Sequence, residues 1–351
     1  MSVQHIRNVS ICGIAAAVPQ RKIEVADCQN FKSVEDREKH IKNVGVERIR
    51  CHQGDMTTGD LCQAAALRLM ADLHWSPEDV DLLVFVSQSM DYVLPATSCV
   101  LHGKLGLRED CTCFDVGLGC SGWVYGLSVV AGMMQGGAFK KAILLAGDVK
   151  DVASRVYELP LFGDAGTATA LVYDEAAKEM IIGTYTDGKG YEAIIRRVGA
   201  SRCPITADAL LYREDSFGHV HRAIDTEMDG AAVFIFGIST IPKAIKNLLN
   251  YTEQAVDDVD FFLFHQANLM MNEQIRKKCK IPEEKCPYSL RDFGNNSSAS
   301  IPLTMVTQLR ERLSSSGEHR LVVCGFGVGL SWATASINWQ GDAVISNLVE
   351  V

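Results

Sequence analysis

One feature constrains the fold of this chain more than any other: an internal repeat. The stretch Glu78-Asp-Val-Asp-Leu-Leu-Val-Phe-Val-Ser-Gln88 recurs as Asp257-Asp-Val-Asp-Phe-Phe-Leu-Phe-His-Gln-Ala267, with identities at Asp79/Asp258, Val80/Val259, Asp81/Asp260 and Phe85/Phe264, an offset of 179 residues. At that offset Ala142-Ile-Leu-Leu-Ala-Gly147 falls on Leu321-Val-Val-Cys-Gly-Phe326, and Phe114 falls on Phe293. Three matches at one spacing imply two copies of one folding unit. The length of 351 residues agrees, since it exceeds a typical domain of about 100–200. We therefore expect halves at 1–179 and 180–351, joined near the polar run Tyr173-Asp-Glu-Ala-Ala-Lys-Glu179. Short apolar runs such as Leu82-Leu-Val-Phe-Val86 read as buried strands, and residues 57–73 carry a helical spacing of apolar side chains after a capping threonine. Strands alternating with helices predict an α/β architecture with mostly buried sheets.

A formal net charge of −9 argues against general nucleic-acid binding, which needs a basic surface, and requires any acidic partner to meet a local basic patch. The N-terminus lacks the charged start and apolar core of a secretory signal, and no window reads as roughly 18 apolar residues, so a cytoplasmic protein without membrane association is expected. Twelve cysteines lie scattered through apolar segments with no C-x2-C pair, which suits reduced thiols better than a metal site.

Four places carry candidate chemistry. Cys120 lies in Asp115-Val-Gly-Leu-Gly-Cys-Ser-Gly122, a strand running through a glycine-rich turn into an apolar helix. Unpaired amides at a helix start favour an anion and can lower a thiol from about 8.5 to roughly 3.5–7.5; the rival reading is a small buried hydrophobe. His265 ends the second copy's strand where the first copy has Val86, a titratable group at a strand's carboxyl end, where open α/β sheets place their sites. A satisfied structural histidine is its rival. Gly294-Asn-Asn-Ser-Ser-Ala-Ser300 precedes a helix, and the repeat sets Asn295 opposite Cys120 across one cleft, although helix capping alone accounts for such residues. In Gly325-Phe-Gly-Val-Gly-Leu-Ser-Trp332 the glycines expose backbone N–H groups, either as an oxyanion hole or simply as a tight turn.

Together with Leu161-Phe-Gly-Asp-Ala-Gly166, His265-Gln-Ala-Asn268 and the Ile301-Pro302 that follows Ser300, these motifs resemble the β-ketoacyl-acyl-carrier-protein synthase III family along essentially the whole chain. The resemblance implies the thiolase fold, with two similar halves in a five-layered αβαβα body, and a homodimer. It also implies a decarboxylative Claisen condensation. Cys120 would carry an acyl primer, with the amides of Cys120 and Val328 as oxyanion donors. His265 and Asn295 would hold the carbonyl oxygen of a malonyl thioester as CO2 leaves. No metal or redox cofactor is implied; the substrates arrive as phosphopantetheine or coenzyme A thioesters, and an acyl carrier protein is the expected partner.

Departures from the family pattern bear on substrate and carrier. Lys39 and Asn43 stand where many members grip coenzyme A with tryptophan and arginine, which leaves the primer donor open between coenzyme A and an acyl carrier protein. Met270 replaces a frequent docking arginine, leaving Arg276, Lys277, Lys278 and Lys280 as the candidate carrier patch. Leu94 occupies an acyl-pocket position that is phenylalanine in several acetyl-selective members, hinting at a longer or branched primer, and Val328 replaces a common glycine. Two other readings stay open: an acyltransferase of the same fold passing the acyl group from Cys120 to an alcohol or amine, and a non-catalytic partner subunit.

Overall fold

The computed structural model describes residues 3–151, 160–215, 220–315 and 317–351. The chain enters through β1 (Val3–Ile6) and the long β2 (Val9–Val18). A ribbon of β3 (Lys22–Glu24) and β4 (Arg48–Arg50) brackets α1 (Val34–Val44). Helix α2 (Thr58–Asp72) begins at a reciprocal cap in which Thr57 Oγ1 accepts from the Asp60 N–H and the Asp60 carboxylate accepts from the Thr57 N–H. Then follow β5 (Leu82–Val86), α3 (Thr97–Leu105), β6 (Thr112–Val116), α4 (Gly122–Met134), β7 (Lys141–Asp148) and β8 (Ala165–Tyr173).

Strand β9 (Met180–Thr186) leads into a region of small ribbons, where β10 (Ile194–Ile195) pairs with β13 (Glu227–Met228) and β11 (Arg213–Glu214) with β12 (Val220–His221). Helix α5 (Gly230–Tyr251), β14 (Phe261–Phe264), α6 (Leu269–Lys278), α7 (Leu290–Phe293), α8 (Ser300–Gln308) and α9 (Arg310–Leu313) come next. The chain closes with β15 (Glu318–Gly327), β16 (Ser331–Gln340), β17 (Val344–Ile345) and β18 (Val349–Glu350).

The repeat is visible in the sheets. One runs β2-β8-β7-β5-β6 and the other β9-β16-β15-β14, and in both the first two pairings are antiparallel and the next parallel. Strands β5 and β14 are therefore equivalent, as their shared Asp-Val-Asp lead predicts. The Phe114/Phe293 match does not carry this far: Phe114 lies in β6, whereas Phe293 ends the short helix α7. The chain ends cross over. β1 pairs with β9 in the C-terminal sheet, while β17 and β18 pair with β2 in the N-terminal one.

Three apolar clusters define five layers. Helices α4 and α8 lie between the sheets, where Trp123, Leu127, Val130, Leu303 and Val306 join Val84, Leu144, Leu263 and Val323 in one core. Outside the N-terminal sheet, Ala65, Leu69 and Leu101 of α2 and α3 pack on Leu83, Phe85 and Leu145. Outside the other, Phe236, Ile241, Ile245 and Leu248 of α5 and Met271 and Ile275 of α6 pack on Phe262, Phe264 and Val322. This is the αβαβα body of the thiolase fold. One expectation needs correcting. By length and composition α5, with its 22 residues, is apolar enough to cross a membrane, but its apolar stripe is the face that packs on the C-terminal sheet.

Candidate active site

The N-terminal end of α4 places Cys120 against the turn that joins β15 to β16. Ser121 Oγ lies 2.7 Å from Ser331 Oγ, which in turn donates to the Val328 carbonyl at 2.6 Å, so the helix start and the turn are locked together. Gly327 makes this approach possible: a Cβ there would lie 2.9 Å from the Cys120 sulfur. The backbone N–H groups of Val328 and of Cys120 itself are aimed at the sulfur, and Ser297 Oγ lies 3.9 Å from it.

The electrostatics differ from the helix-terminus expectation. Burial, and after it the Asp148 carboxylate, push the Cys120 thiol up to about 11, overriding the hydrogen bonds from Ser297 and the two amides. Asp148 ends β7 and gathers hydrogen bonds from the 87–89 and 297–298 segments, the Ser297 side chain included. Its Oδ1 accepts from Ser87 Oγ at 2.9 Å, the Gln88 N–H at 2.8 Å and Ser89 Oγ at 3.2 Å, and its Oδ2 from Ser298 Oγ at 3.1 Å and the Ser298 N–H at 3.4 Å. Desolvation raises its own pKa, though these donors oppose the rise.

His265 leaves the carboxyl end of β14, its N–H donating to the Cys324 carbonyl at 2.8 Å. The ring packs edge-on against Phe326, 5.5 Å between centroids. Burial drives its pKa down to about 3, so the imidazole is neutral. Nδ1 lies 2.9 Å from Ser300 Oγ, whose hydroxyl donates to the Ser297 carbonyl at 2.8 Å. Asn295 is fixed from both ends: its Oδ1 accepts from the Ser297 N–H at 2.9 Å and its Nδ2 donates to the Ala267 carbonyl at 3.3 Å. Its backbone pairs with the 161–163 segment, the Asn295 N–H donating to the Leu161 carbonyl and the Gly163 N–H to the Asn295 carbonyl. Gly294, with φ +67°, makes the turn into this pairing, and a Cβ there would lie 2.4 Å from the Leu161 oxygen. In His265-Gln-Ala-Asn268 the other polar residues are structural: Gln266 binds the Phe264 carbonyl and the Ser289 N–H, and Asn268 caps α6.

Cys120, His265, Asn295 and Val328 line one pocket of about 1990 Å3, well above the roughly 300–1,000 Å3 of ordinary small-molecule sites. The remaining sequence candidates lie elsewhere. Leu94 is 84% exposed and does not line the pocket of its own chain, although its neighbour Val93 does. Arg276 is bound to Glu273 and to the Ile281 carbonyl, and Lys278 donates to the Ile238 carbonyl. Lys277 and Lys280 are exposed, and Lys277 lies 3.6 Å from Glu273. Lys39 and Asn43 are exposed on α1; from that helix it is His40 that reaches the pocket wall, 3.0 Å from the Pro160 carbonyl. Asp148, Ser297 and Ser300 escaped the sequence reading, although the serines stand inside a motif it singled out. None of the twelve cysteines is joined in a disulfide.

Comparison with known proteins decides the family. Residues 114–190 match the family described as 3-oxoacyl-[acyl-carrier-protein (ACP)] synthase III, and residues 249–339 match its C-terminal part. A putative 3-oxoacyl-[acyl-carrier-protein] synthase 3 of Campylobacter jejuni is 30% identical, covering 97% of this chain and 96% of its own. The chain belongs to the 3-oxoacyl-[acyl-carrier-protein] synthase III family. It is an acyltransferase of the condensing class. A β-ketoacyl-[acyl-carrier-protein] synthase III of Fusobacterium nucleatum is 28% identical over 95% of this synthase-family chain and 99% of its own. The solved 3-oxoacyl-(acyl-carrier protein) synthase of Burkholderia xenovorans superposes with a TM-score of 0.91 at 34% identity, covering 100% of this chain and 99% of that one.

Proposed function

We propose that the enzyme condenses an acyl primer held on Cys120 with a malonyl thioester, giving a β-ketoacyl thioester and CO2. The observation that carries the reading is the convergence on one pocket of a thiol, two backbone N–H groups aimed at it, a neutral imidazole and a fixed carboxamide. In the first half-reaction the Cys120 sulfur attacks the primer thioester carbonyl, the amides of Cys120 and Val328 receive the oxyanion, and the carrier leaves as its thiol, taking up the proton that Cys120 gives up. In the second, His265 Nε2–H and the Asn295 Nδ2 proton not given to Ala267 hold the malonyl carbonyl oxygen as the carboxylate leaves, and the enolate carbon attacks acyl-Cys120. That step needs the His265 tautomer protonated on Nε2, so the Ser300 hydroxyl has to turn its proton from the Ser297 carbonyl to Nδ1 when the malonyl group is held. The electrons come from the breaking carbon–carboxylate bond, so the reaction calls for no metal or redox cofactor.

The partner in this reading is an acyl carrier protein, meeting the pocket where Arg196, Arg197 and Met270 are exposed, Arg197 sharing its charge with Glu192 and Glu227. A homodimer would cover the exposed apolar loop around Val93 and Leu94 beside edge strand β6, and a cytoplasmic setting suits the free thiols. Incubation with a panel of acyl thioesters, read by intact-protein mass spectrometry, tests the first step: wild type gains one acyl group, and an unchanged adduct on Cys120→Ala would sink the mechanism. His265→Ala and Asn295→Ala should each lower CO2 release from malonyl carrier protein by about 10²–10³. Acylation of an alcohol or amine by the acyl-enzyme without CO2 release would make it a simple acyltransferase instead.

A further inference from the structure

We propose that His52, held by Asp164, is a recognition residue of the acyl pocket whose Nε2 accepts a hydrogen bond from a hydroxyl group on the primer chain. The inference rests on the reading of Cys120 as the acyl carrier. His52 lines the same pocket as Cys120, yet the residue is only 6% exposed, and Asp164 is 0% exposed. These residues come from segments 112 positions apart. The Asp164 Oδ2 accepts the His52 N–H at 2.9 Å and lies 2.8 Å from His52 Nδ1, while Oδ1 accepts the Lys150 N–H at 2.9 Å. The Asp164 N–H donates to the Arg50 carbonyl of β4 at 2.9 Å, which closes the frame.

The carboxylate facing Nδ1 holds a proton there, so in the neutral ring Nε2 presents a lone pair. Among the described residues nothing else bonds to Nε2, and it is absent from the fully enclosed unpaired atoms, so it opens onto the pocket. The adjoining wall, built from residues 54–58 and 88–93, is apolar at Met56, Met90 and Val93. An unsubstituted alkyl chain lying there would leave a desolvated acceptor unpaired. A carboxylate or phosphate would face the lone pair and the Asp164 charge behind it. An ammonium group would lose its hydration against the methionines. A hydroxyl donates one hydrogen bond and is otherwise nearly isosteric with the chain. The ligand atoms of Cys51, His52 and Asp164 also lie within 4.8 Å of one another, as a metal site would require. They are engaged already, the Cys51 thiol with the His52 carbonyl at 3.6 Å and the imidazole with the carboxylate.

The test compares N-acetylcysteamine thioesters of saturated acids with hydroxylated acids of equal length, read as the rate of acyl-Cys120 formation by intact-protein mass spectrometry. Wild type should load the best hydroxylated member about ten- to a hundredfold faster than its unsubstituted counterpart. His52→Phe should bring that ratio to about one, and His52→Gln, which retains an acceptor, should restore part of it; a melting curve for each variant verifies folding. Equal loading of both series by wild type, or a ratio unmoved in folded His52→Phe, overturns the proposal. Discharge of acyl-Cys120 onto a free alcohol by wild type but not by His52→Phe also overturns it, making His52 a general base. If no thioester labels Cys120 at all, the acyl-enzyme reading itself falls and takes this inference with it, whereas loading without preference sinks the inference alone.

Discussion

At Cys120 the helix start and two amides favour the thiolate, while burial and the Asp148 carboxylate oppose it, and the opposition prevails. Removing a nearby negative charge favours the thiolate, so Asp148→Asn should shift the midpoint of iodoacetamide alkylation at Cys120 to lower pH; a midpoint that stays or rises contradicts the assignment. His265 titrates the other way. With its pKa driven down to about 3 it should stay neutral through the working range, so CO2 release should show no acid limb near the ordinary histidine value. A limb that appears there in wild type and vanishes in His265→Gln would show that the ring charges. The nucleophile was legible from its glycine-rich turn, and His265 from a polar residue replacing Val86 at an equivalent strand end. The direction of the thiol's pKa was not, because Asp148 approaches from another strand, 28 positions away in sequence. The pairing of His52 with Asp164 was hidden for the same reason: His52 looks ordinary, and Asp164 is one residue of the 161–166 motif, until β4 and the start of β8 are side by side.

Between residue and sheet, the elements that matter are the β15–β16 turn and the loop entering α8. Gly327→Ala would put a methyl group into the space of the Cys120 side chain. A displacement of that size should slow acylation on the order of a hundredfold while the far-ultraviolet dichroism stays native; normal acylation would show that the thiol has room to spare. Ser300→Ala removes the hydroxyl beside His265 Nδ1, so CO2 release should fall more than primer loading, a split measurable by running the two half-reactions separately. Strands β5 and β14 could be read in advance because a buried strand needs its own apolar run and turn signal. Helix α7 could not: the Phe293 match suggested a second β6, but Gly294 must turn the chain into the 161–163 segment, and the residues before it coil instead. In the basic stretch around Arg276, charge in sequence does not reveal that Glu273, one helical turn back, pairs with the arginine.

Among the described residues the most exposed large apolar side chains sit in one loop, where Val93 and Leu94 are 89% and 84% exposed. If the enzyme is a homodimer through this loop, Leu94→Asp should shift its mass by light scattering toward that of one chain, and an unchanged dimer would place the interface elsewhere. The other large-scale feature is the crossing of the chain ends. Because β1 belongs to the C-terminal sheet and β17 and β18 to the N-terminal one, each half is laced into the other, and the Gln20 N–H even donates to the last carbonyl, that of Val351. A nick in the polar link should therefore be survivable. Fragments 1–176 and 177–351, expressed together, should co-purify and acylate Cys120, while either one alone should be insoluble; the two fragments folding independently would show that the lacing is ornamental. Two copies fused in one chain have thus become a single knot of mutual dependence, which a cut between them does not untie.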